Sequence, residues 1–195
     1  MNYGQLKQEI AGLGFSDLTE LEEFDTIVPD AINRAIAEIN LNVCPIIGTY
    51  EFIQDGTVDD ILYYDIEELT QEAGEKVFLE FADTPVMFGD NVYRKFNDFE
   101  IENEKVIVID GNYQGKFKVF YKKAHTAFDV NSTDFDEIQL PLKAHILVPL
   151  LSAYYIWLED EKTKAVDCYN QYDKLANQIL AGKQTPRARI LSGGI

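Results

Sequence analysis

Hydrophobic residues recur with a helical period near the start of the chain. Between residues 28 and 42, apolar side chains return every three or four positions, a spacing that places them on one face of an α-helix. Pro29 fits the first turn of such a helix, where its missing N–H is not needed. The apolar positions are Val28, Ile32, Ala35, Ile36, Ile39 and Val43. The pattern predicts a helix over 28–42.

Three more helices are predicted on the same grounds, over residues 3–14, 140–160 and 162–181. Pro141 would open the helix over 140–160. Pro149 would kink it, because proline lacks a backbone donor and crowds the preceding turn. Gly182 would end the last helix. Helical segments are therefore expected at both ends of the chain.

The middle of the chain changes to a period of two. Apolar and polar residues alternate in short runs, as they do in strands with one buried face. Turn-forming segments separate the runs, among them Asp55-Gly56, Glu102-Asn103-Glu104 and Gly111-Asn112. The strands are predicted near residues 49–52, 61–66, 77–81, 92–96, 105–109 and 116–122.

The order of these elements predicts an α+β fold. We expect a helical bundle built from both chain ends, comprising residues 1–46 and 124–182. An antiparallel β-sandwich or barrel domain over 47–123 would interrupt this bundle. Residues 183–195 lack apolar periodicity and are expected to form an extended C-terminal arm.

The net charge is −17 and is unevenly distributed. Residues 183–195 carry three basic residues and no acid, so the rest of the chain holds 14 basic against 34 acidic residues, a net charge of −20. Binding to nucleic acid requires cationic groups against phosphate. The acidic body therefore predicts no nucleic-acid binding through the bulk surface, and it suits a surface past which DNA slides without sticking.

Sequence motifs for catalysis are lacking. The chain contains no phosphate-binding glycine loop, no nucleophile elbow and no His-Glu-x-x-His pattern. The only histidines, His125 and His145, are interpreted as core or interface residues rather than as ligands or bases. Cys44 and Cys168 lack metal or redox spacing, so two buried thiols are favoured over one disulfide. We therefore predict no catalytic residue, no cofactor and no metal.

An acidic segment over residues 129–136 has the composition of a calcium-binding loop. Asp134 occupies the position where such a loop needs glycine, and Leu140 occupies the position where it needs glutamate. A solvated acidic loop is therefore favoured over a calcium site.

Two groups of residues are candidates for contacts with other molecules. Lys116, Lys118 and Lys122 share one face of a predicted strand, and a solvent-exposed face is favoured over contact with DNA or with an acidic neighbour. Aromatic residues crowd the last two predicted helices, and aromatic residues are enriched at protein interfaces. The predicted subunit-interface residues are Tyr154, Tyr155, Trp157, Tyr169 and Tyr172.

Short motifs accompany this layout from the first helix to the last. They are Ile32-Asn33-Arg34-Ala35-Ile36, Thr49-Tyr50-Glu51-Phe52, Val119-Phe120-Tyr121, Leu140-Pro141 and the spaced Tyr169 and Tyr172. Over nearly the whole chain, their order resembles that of the head–tail adaptor (connector) proteins of tailed bacteriophages, including tail-tube gatekeeper-like adaptors of short-tailed phages. The large β-domain departs from those adaptors that are almost entirely helical.

The resemblance implies a structural virion protein of the neck, between the capsid portal and the tail. Adaptors of this kind form a homomeric ring of about twelve subunits. The implied partners are the portal protein, downstream tail or neck proteins, and DNA that passes through the lumen during ejection without sequence-specific binding. We expect Asp and Glu to line that lumen. No membrane partner is expected, since no apolar run approaches the roughly 18 residues of a spanning helix.

The C-terminal arm differs in composition from the rest of the chain. It combines basic and aliphatic residues and cannot fold alone, but such a segment can order on an acidic groove of a partner. In the adaptors that the chain resembles, the C-terminal segment reaches the portal ring. The resemblance therefore implies that the portal-binding residues are Lys183, Arg187, Arg189, Ile190 and Leu191.

Three alternatives remain. The chain could be a tail-completion or tail-terminator subunit, which is also a virion protein. An acidic inhibitor that mimics DNA would be active without assembly and would compete with DNA for a basic target. A small glycan hydrolase would need a concave site with a perturbed acid or base.

Overall fold

The structure of the chain, a computed structural model, describes residues 1–22, 24, 26–71, 77–90, 92–129 and 131–184. The chain forms two compact units. The helical unit combines Met1–Cys44 with the residues from Ala127 onward, and the β unit comprises Pro45–Thr126. The chain is thus an α+β protein with antiparallel sheets.

In chain order, the helices are α1 (Tyr3–Ala11), α2 (Leu18–Glu22), α3 (Val28–Asn42), α4 (Ile66–Leu69), α5 (Leu147–Trp157) and α6 (Lys162–Gln184). A 3-10 turn at Leu142–Ala144 precedes α5. The strands are β1 (Ile47–Asp55), β2 (Ile61–Asp65), β3 (Phe78–Phe88), β4 (Arg94–Lys95), β5 (Glu100–Glu102), β6 (Val106–Asp110) and β7 (Gln114–Lys123).

Helix α5 lies at the centre of the helical unit. It is apolar around nearly its whole circumference, and Leu147, Val148 and Leu151 are fully buried. A helix of this kind needs cover on all sides. Helices α1, α3 and α6 pack against it, and α3 contributes the buried Ile32 and Ile36. Segments from both chain ends therefore share one core.

The start of α5 differs from the prediction. The helix begins at Leu147 rather than at Pro141, which instead precedes the 3-10 turn. Pro149 therefore lies in the first turn of α5, where the N–H that proline lacks would have no intrahelical partner. The predicted position of Pro149 in the interior of the helix is therefore wrong. His145 holds the turn before α5, because its Nε2 donates a hydrogen bond to the Leu140 carbonyl at 2.8 Å.

Helix α6 runs to Gln184, two residues beyond its predicted end at Gly182. Glycine ends a helix when it adopts a left-handed backbone conformation. Gly182 keeps a helical conformation instead, and one glycine inside a helix costs only about 1 kcal/mol. Lys183, the first residue of the predicted arm, is therefore helical.

Asn33 on α3 holds the segment that follows the β unit. Its Nδ2 donates to the Phe128 carbonyl at 2.7 Å, and its Oδ1 accepts from the Phe128 N–H at 2.8 Å. The Tyr3 ring stacks on Phe128 with the ring centroids 4.8 Å apart. These contacts fix where the chain re-enters the helical unit, and we call them the Asn33 clamp.

Two antiparallel sheets form the β unit. One has the strand order β1-β7-β3-β4, and the other has the order β2-β6-β5. In the described part of the chain each sheet has two edge strands, so neither closes into a barrel and the barrel alternative is wrong. Both sheets contribute to one hydrophobic cluster. Its buried members are Ile66, Val86, Phe96, Ile107, Ile109, Phe117, Val119 and Tyr121.

A tight turn joins β5 to β6, as predicted at Glu102-Asn103-Glu104. Asn103 and Glu104 have φ values of 51° and 62°, and the Lys105 N–H donates to the Glu102 carbonyl at 3.2 Å. Glu102 pairs with Val106, so three residues form the loop, and the positive φ values of two of them suit the twist of a tight hairpin. The turn therefore sets the register of β5 on β6.

No helix among the described residues is both long and apolar enough to cross a membrane.

Candidate subunit interface

Four tyrosines on α5 and α6 form one aromatic cluster, which we call the tyrosine patch. Tyr154 lies between Tyr155 and Tyr169, with its ring centroid 5.1 Å from each of theirs. Tyr169 lies 5.8 Å from Tyr172. These separations are in the range at which aromatic rings attract one another. On each helix the two tyrosines lie within one turn of each other. The packing of α6 on α5 thus brings both pairs into one cluster.

Helix α3 anchors one end of the tyrosine patch. The Tyr155 hydroxyl donates a hydrogen bond to the Glu38 carboxylate, and the Arg34 guanidinium lies 4.1 Å from the centre of the Tyr155 ring. Burial and then the Glu38 hydrogen bond raise the pKa of Tyr155, so its hydroxyl stays protonated and donates at neutral pH. Arg34 and Glu38 were not predicted as site residues, although their four-residue spacing places them on one helix face.

The tyrosine patch is buried at one end and open at the other. Tyr172 is 5% exposed, and burial together with the nearby Glu38 charge raises its pKa to about 12. Tyr169 is 41% exposed. Val166 precedes Tyr169 by one turn and Leu41 follows Glu38 by one turn, and these apolar side chains are 54% and 53% exposed. An exposed tyrosine one helical turn from an exposed valine favours a protein contact on this face of α6.

Trp157 does not belong to the tyrosine patch. It is 4% exposed, stacks on Phe15 with the ring centroids 4.2 Å apart, and donates from Nε1 to the Leu13 carbonyl at 3.0 Å. The Lys164 ammonium lies 4.0 Å from the centre of its ring. Trp157 is therefore a core residue of its own helical unit, and we remove it from the predicted interface.

No family model and no curated protein sequence matches this chain. The geometry of its own residues is therefore the basis for any functional proposal. Within the described helical unit, the tyrosine patch combines aromatic packing with an exposed end.

Neither histidine joins a cluster of potential metal ligands. Over the described residues, no group of three or more His, Cys, Asp or Glu side chains could hold a metal ion. His145 supports the turn before α5, as described above. In the β unit, burial lowers the pKa of His125 to about 4, so its imidazole is neutral at pH 7.

The segment that resembles a calcium loop uses its carboxylates to form turns. Asp129 accepts a hydrogen bond from the Asn131 N–H at 2.8 Å, and Asp136 accepts one from the Thr133 N–H at 2.8 Å. Cys44 and Cys168 are both buried and free, which confirms the prediction of two thiols.

The lysines of the basic strand face lie on β7. Lys118 forms an ion pair with Glu51 on β1 at 2.7 Å, and Lys122 forms one with Glu80 on β3. Lys116 is exposed. Two of the three charges are thus paired across strands of their own sheet.

The predicted C-terminal arm lies almost entirely outside the described residues. Arg187, Arg189, Ile190 and Leu191 fall there, and Lys183 lies in the last turn of α6. Their predicted role in portal binding stays a prediction.

Proposed function

We propose that this chain is a non-enzymatic structural protein of a tailed-bacteriophage virion. It is a head–tail adaptor subunit, and about twelve copies form a ring in the neck between the portal and the tail. We interpret the helical unit as a bundle that both chain ends build, and the β unit as a sandwich inserted into it. The observation that carries the proposal is the tyrosine patch with its exposed aliphatic neighbours.

A ring places a demand on the surface of each copy. Every subunit must present a patch that fits a different patch on the next, because head-to-tail contacts close into rings. Buried aromatic anchors contribute most of the binding energy at such contacts. Tyr155 and Tyr172 are held rigidly by their own chain, so the exposed Tyr169 can be buried by a neighbour at a small cost in side-chain entropy.

The charge of the chain suits a conduit for DNA. A body with a net charge of −20 repels phosphate, and the proposed lumen is lined mostly by Asp and Glu so that DNA moves through it. The proposal assigns the chain no catalytic residue, no cofactor and no metal. The portal receives the C-terminal arm, and downstream tail or neck proteins bind the opposite side of the ring.

Assembly of the purified protein on portal rings tests the proposal. We expect wild-type protein to add a second ring to the portal, visible by electron microscopy. The double variant Tyr169→Ala, Val166→Ala should reduce this addition at least tenfold, because the lost contact area is worth more than about 1.4 kcal/mol. The matched control is Tyr63→Ala, Val58→Ala, which removes an exposed tyrosine and valine from the β unit.

Equal assembly by the two double variants would remove the tyrosine patch from the interface. A wild-type protein that stays monomeric with portal rings, but competes with DNA for a basic protein, would favour the DNA mimic instead. A wild-type protein that caps tail tubes and not portals would identify a tail-completion or terminator subunit.

A further inference from the structure

Strand β1 presents a long open edge. It pairs with β7 through nine residues in an unbroken register, from Ile47 opposite Lys122 to Asp55 opposite Gln114. Among the described residues, β1 has no strand on its other side. A nine-residue strand in this position offers a row of backbone donors and acceptors to another chain.

This edge lacks several of the features that normally prevent pairing between molecules. Proteins block their edge strands with proline, charged side chains (lysine above all), bulges or short length. Strand β1 contains no proline and no lysine, its register with β7 shows no bulge, and its only charged residues are the acids Glu51 and Asp55. Ile47 and Ile53 are 47% and 71% exposed on its outer face. An edge of this kind can accept a partner strand, and its acids favour a basic one.

The hydrogen bonds at the end of the strand show which groups point outward. The Lys123 N–H donates to the Ile46 carbonyl at 3.0 Å, so even-numbered residues of this strand face β7. Peptide groups of alternate residues face opposite sides of a strand. The open edge therefore presents the N–H and carbonyl groups of Thr49, Glu51 and Ile53.

The opposite edge of the same sheet is β4, which is short and basic. In the described chain it pairs only with β3, and Arg94 and Lys95 are exposed. The Phe96 N–H donates to the Val86 carbonyl at 3.0 Å, so even-numbered residues face β3. The outward peptide groups are therefore those of Tyr93 and Lys95.

We infer that β1 of one copy pairs with β4 of the next copy, so that the four-stranded sheet continues from subunit to subunit. Three antiparallel pairings separate β1 from β4 within the sheet, so the two strands run in opposite directions. A neighbouring copy that continues the sheet in the same orientation then pairs antiparallel. This inference rests on the proposed homomeric ring.

Side-chain complementarity selects one register for this pairing. Outward-facing residues must lie opposite each other, which restricts the register to steps of two. One choice places Glu51 opposite Lys95 and Ile53 opposite Tyr93, matching acid with base and aliphatic with aromatic. A shift of two in either direction sets Glu51 opposite Tyr93, or Ile53 opposite Lys95.

Disulfide cross-linking tests the register directly. Residues opposite each other in a hydrogen-bonded antiparallel pair have Cα atoms about 5.5 Å apart, within disulfide range. Ile53→Cys and Tyr93→Cys proteins of different tag length are mixed, assembled on portal rings and oxidised. We expect a mixed disulfide between the two variants. The native Cys44 and Cys168 are buried, and the wild-type protein controls for them.

The competing arrangement has its own cross-link. Two β1 strands of different copies that pair about Tyr50 would place Ile47 opposite Ile53 and keep the two Glu51 side chains apart, so a disulfide between Ile47→Cys and Ile53→Cys with none between Ile53→Cys and Tyr93→Cys would overturn the inference. Rings that assemble without the expected disulfide would overturn this inference and leave the proposed function standing. A wild-type protein that forms no ring would overturn both.

A charge exchange tests the same contact without cysteines. Glu51→Lys and Lys95→Glu should each weaken ring assembly roughly tenfold, and the double exchange should restore it. Glu80→Lys is the matched control, because it also breaks an ion pair to a β7 lysine within its own sheet. Equal loss in the control, or no restoration in the double exchange, would contradict the predicted contact.

Discussion

The pKa of His125 predicts that the stability of the protein depends on pH. Burial lowers the pKa of its imidazole to about 4, against an ordinary value of 6.5. Between these two values the unfolded chain binds a proton that the folded chain does not, so the free energy of unfolding falls as the pH falls. This contribution is complete above pH 6.5 and is lost progressively toward pH 4.

We expect His125 to lower the free energy of unfolding by up to roughly 3 kcal/mol as the pH falls across this window. Urea unfolding at several pH values, followed by far-UV circular dichroism, measures this slope. His125→Leu should flatten it, because leucine binds no proton in either state. An unchanged slope in that variant would assign the pH dependence to other groups.

The surface or core location of a single residue could be predicted only where its contacts are close in the sequence. The spacing of Tyr169 and Tyr172 showed that they share a face of α6, and the structure places them in one cluster. Trp157 was assigned to the same surface because it lies among closely spaced aromatic residues, and its partner Phe15 is too far away in the sequence for their contact to be predicted. Burial by distant residues leaves no periodic signal near the buried residue.

At the scale of elements, the position of Pro149 in α5 can be tested. Because it lies in the first turn, Pro149→Ala should change stability by less than about 1 kcal/mol. Ala153→Pro, one turn further into the helix, should destabilise the protein by about 3 kcal/mol or more. The fluorescence of Trp157, the single tryptophan, follows urea unfolding of the helical unit. A large stabilisation by Pro149→Ala would instead place this proline inside a strained helix.

Helices and strands with a clear hydrophobic period were predicted, and elements too short to show a period were missed. The helix predicted over 28–42 is confirmed as α3, and the alternation near residues 116–122 lies in β7. Strand β5 was missed because it has only three residues, Glu-Ile-Glu, which are too few for an alternation to be recognised. Helix α4 has four residues, fewer than the two turns that a helical period needs to become visible.

At the scale of the whole molecule, the C-terminal arm can be removed at a defined point. Because α6 continues to Gln184, truncation after Gln184 leaves every described helix complete. We expect the shortened protein to keep its helix content and its thermal midpoint, but to lose portal binding. Sedimentation with portal rings measures the binding, and circular dichroism measures the fold. Portal binding equal to that of the full chain would contradict the role of the arm.

The division of the chain into two units could be predicted from the change in hydrophobic period along the sequence. The surfaces through which copies could pair could not be predicted in this way. The predicted boundaries near residues 46 and 124 lie within three residues of those that the contacts define. Open strand edges were not predicted, since an edge depends on which strands pair and not on the pattern within one strand. Those edges are the features that the cross-linking experiment addresses.

The Asn33 clamp has a consequence for how such a chain could have arisen. Asn33 lies nine residues before the end of α3, or roughly 14 Å along the helix axis. Asn33 also binds Phe128, where the chain returns to the helical unit. The distance from this point to the end of α3, where the chain leaves the unit, is about the length of five extended residues. A junction this narrow lets an ancestor gain, lose or exchange the β unit without rebuilding its helices. Homologues should therefore vary in length and sequence within residues 45–126 while retaining an asparagine at the position of Asn33.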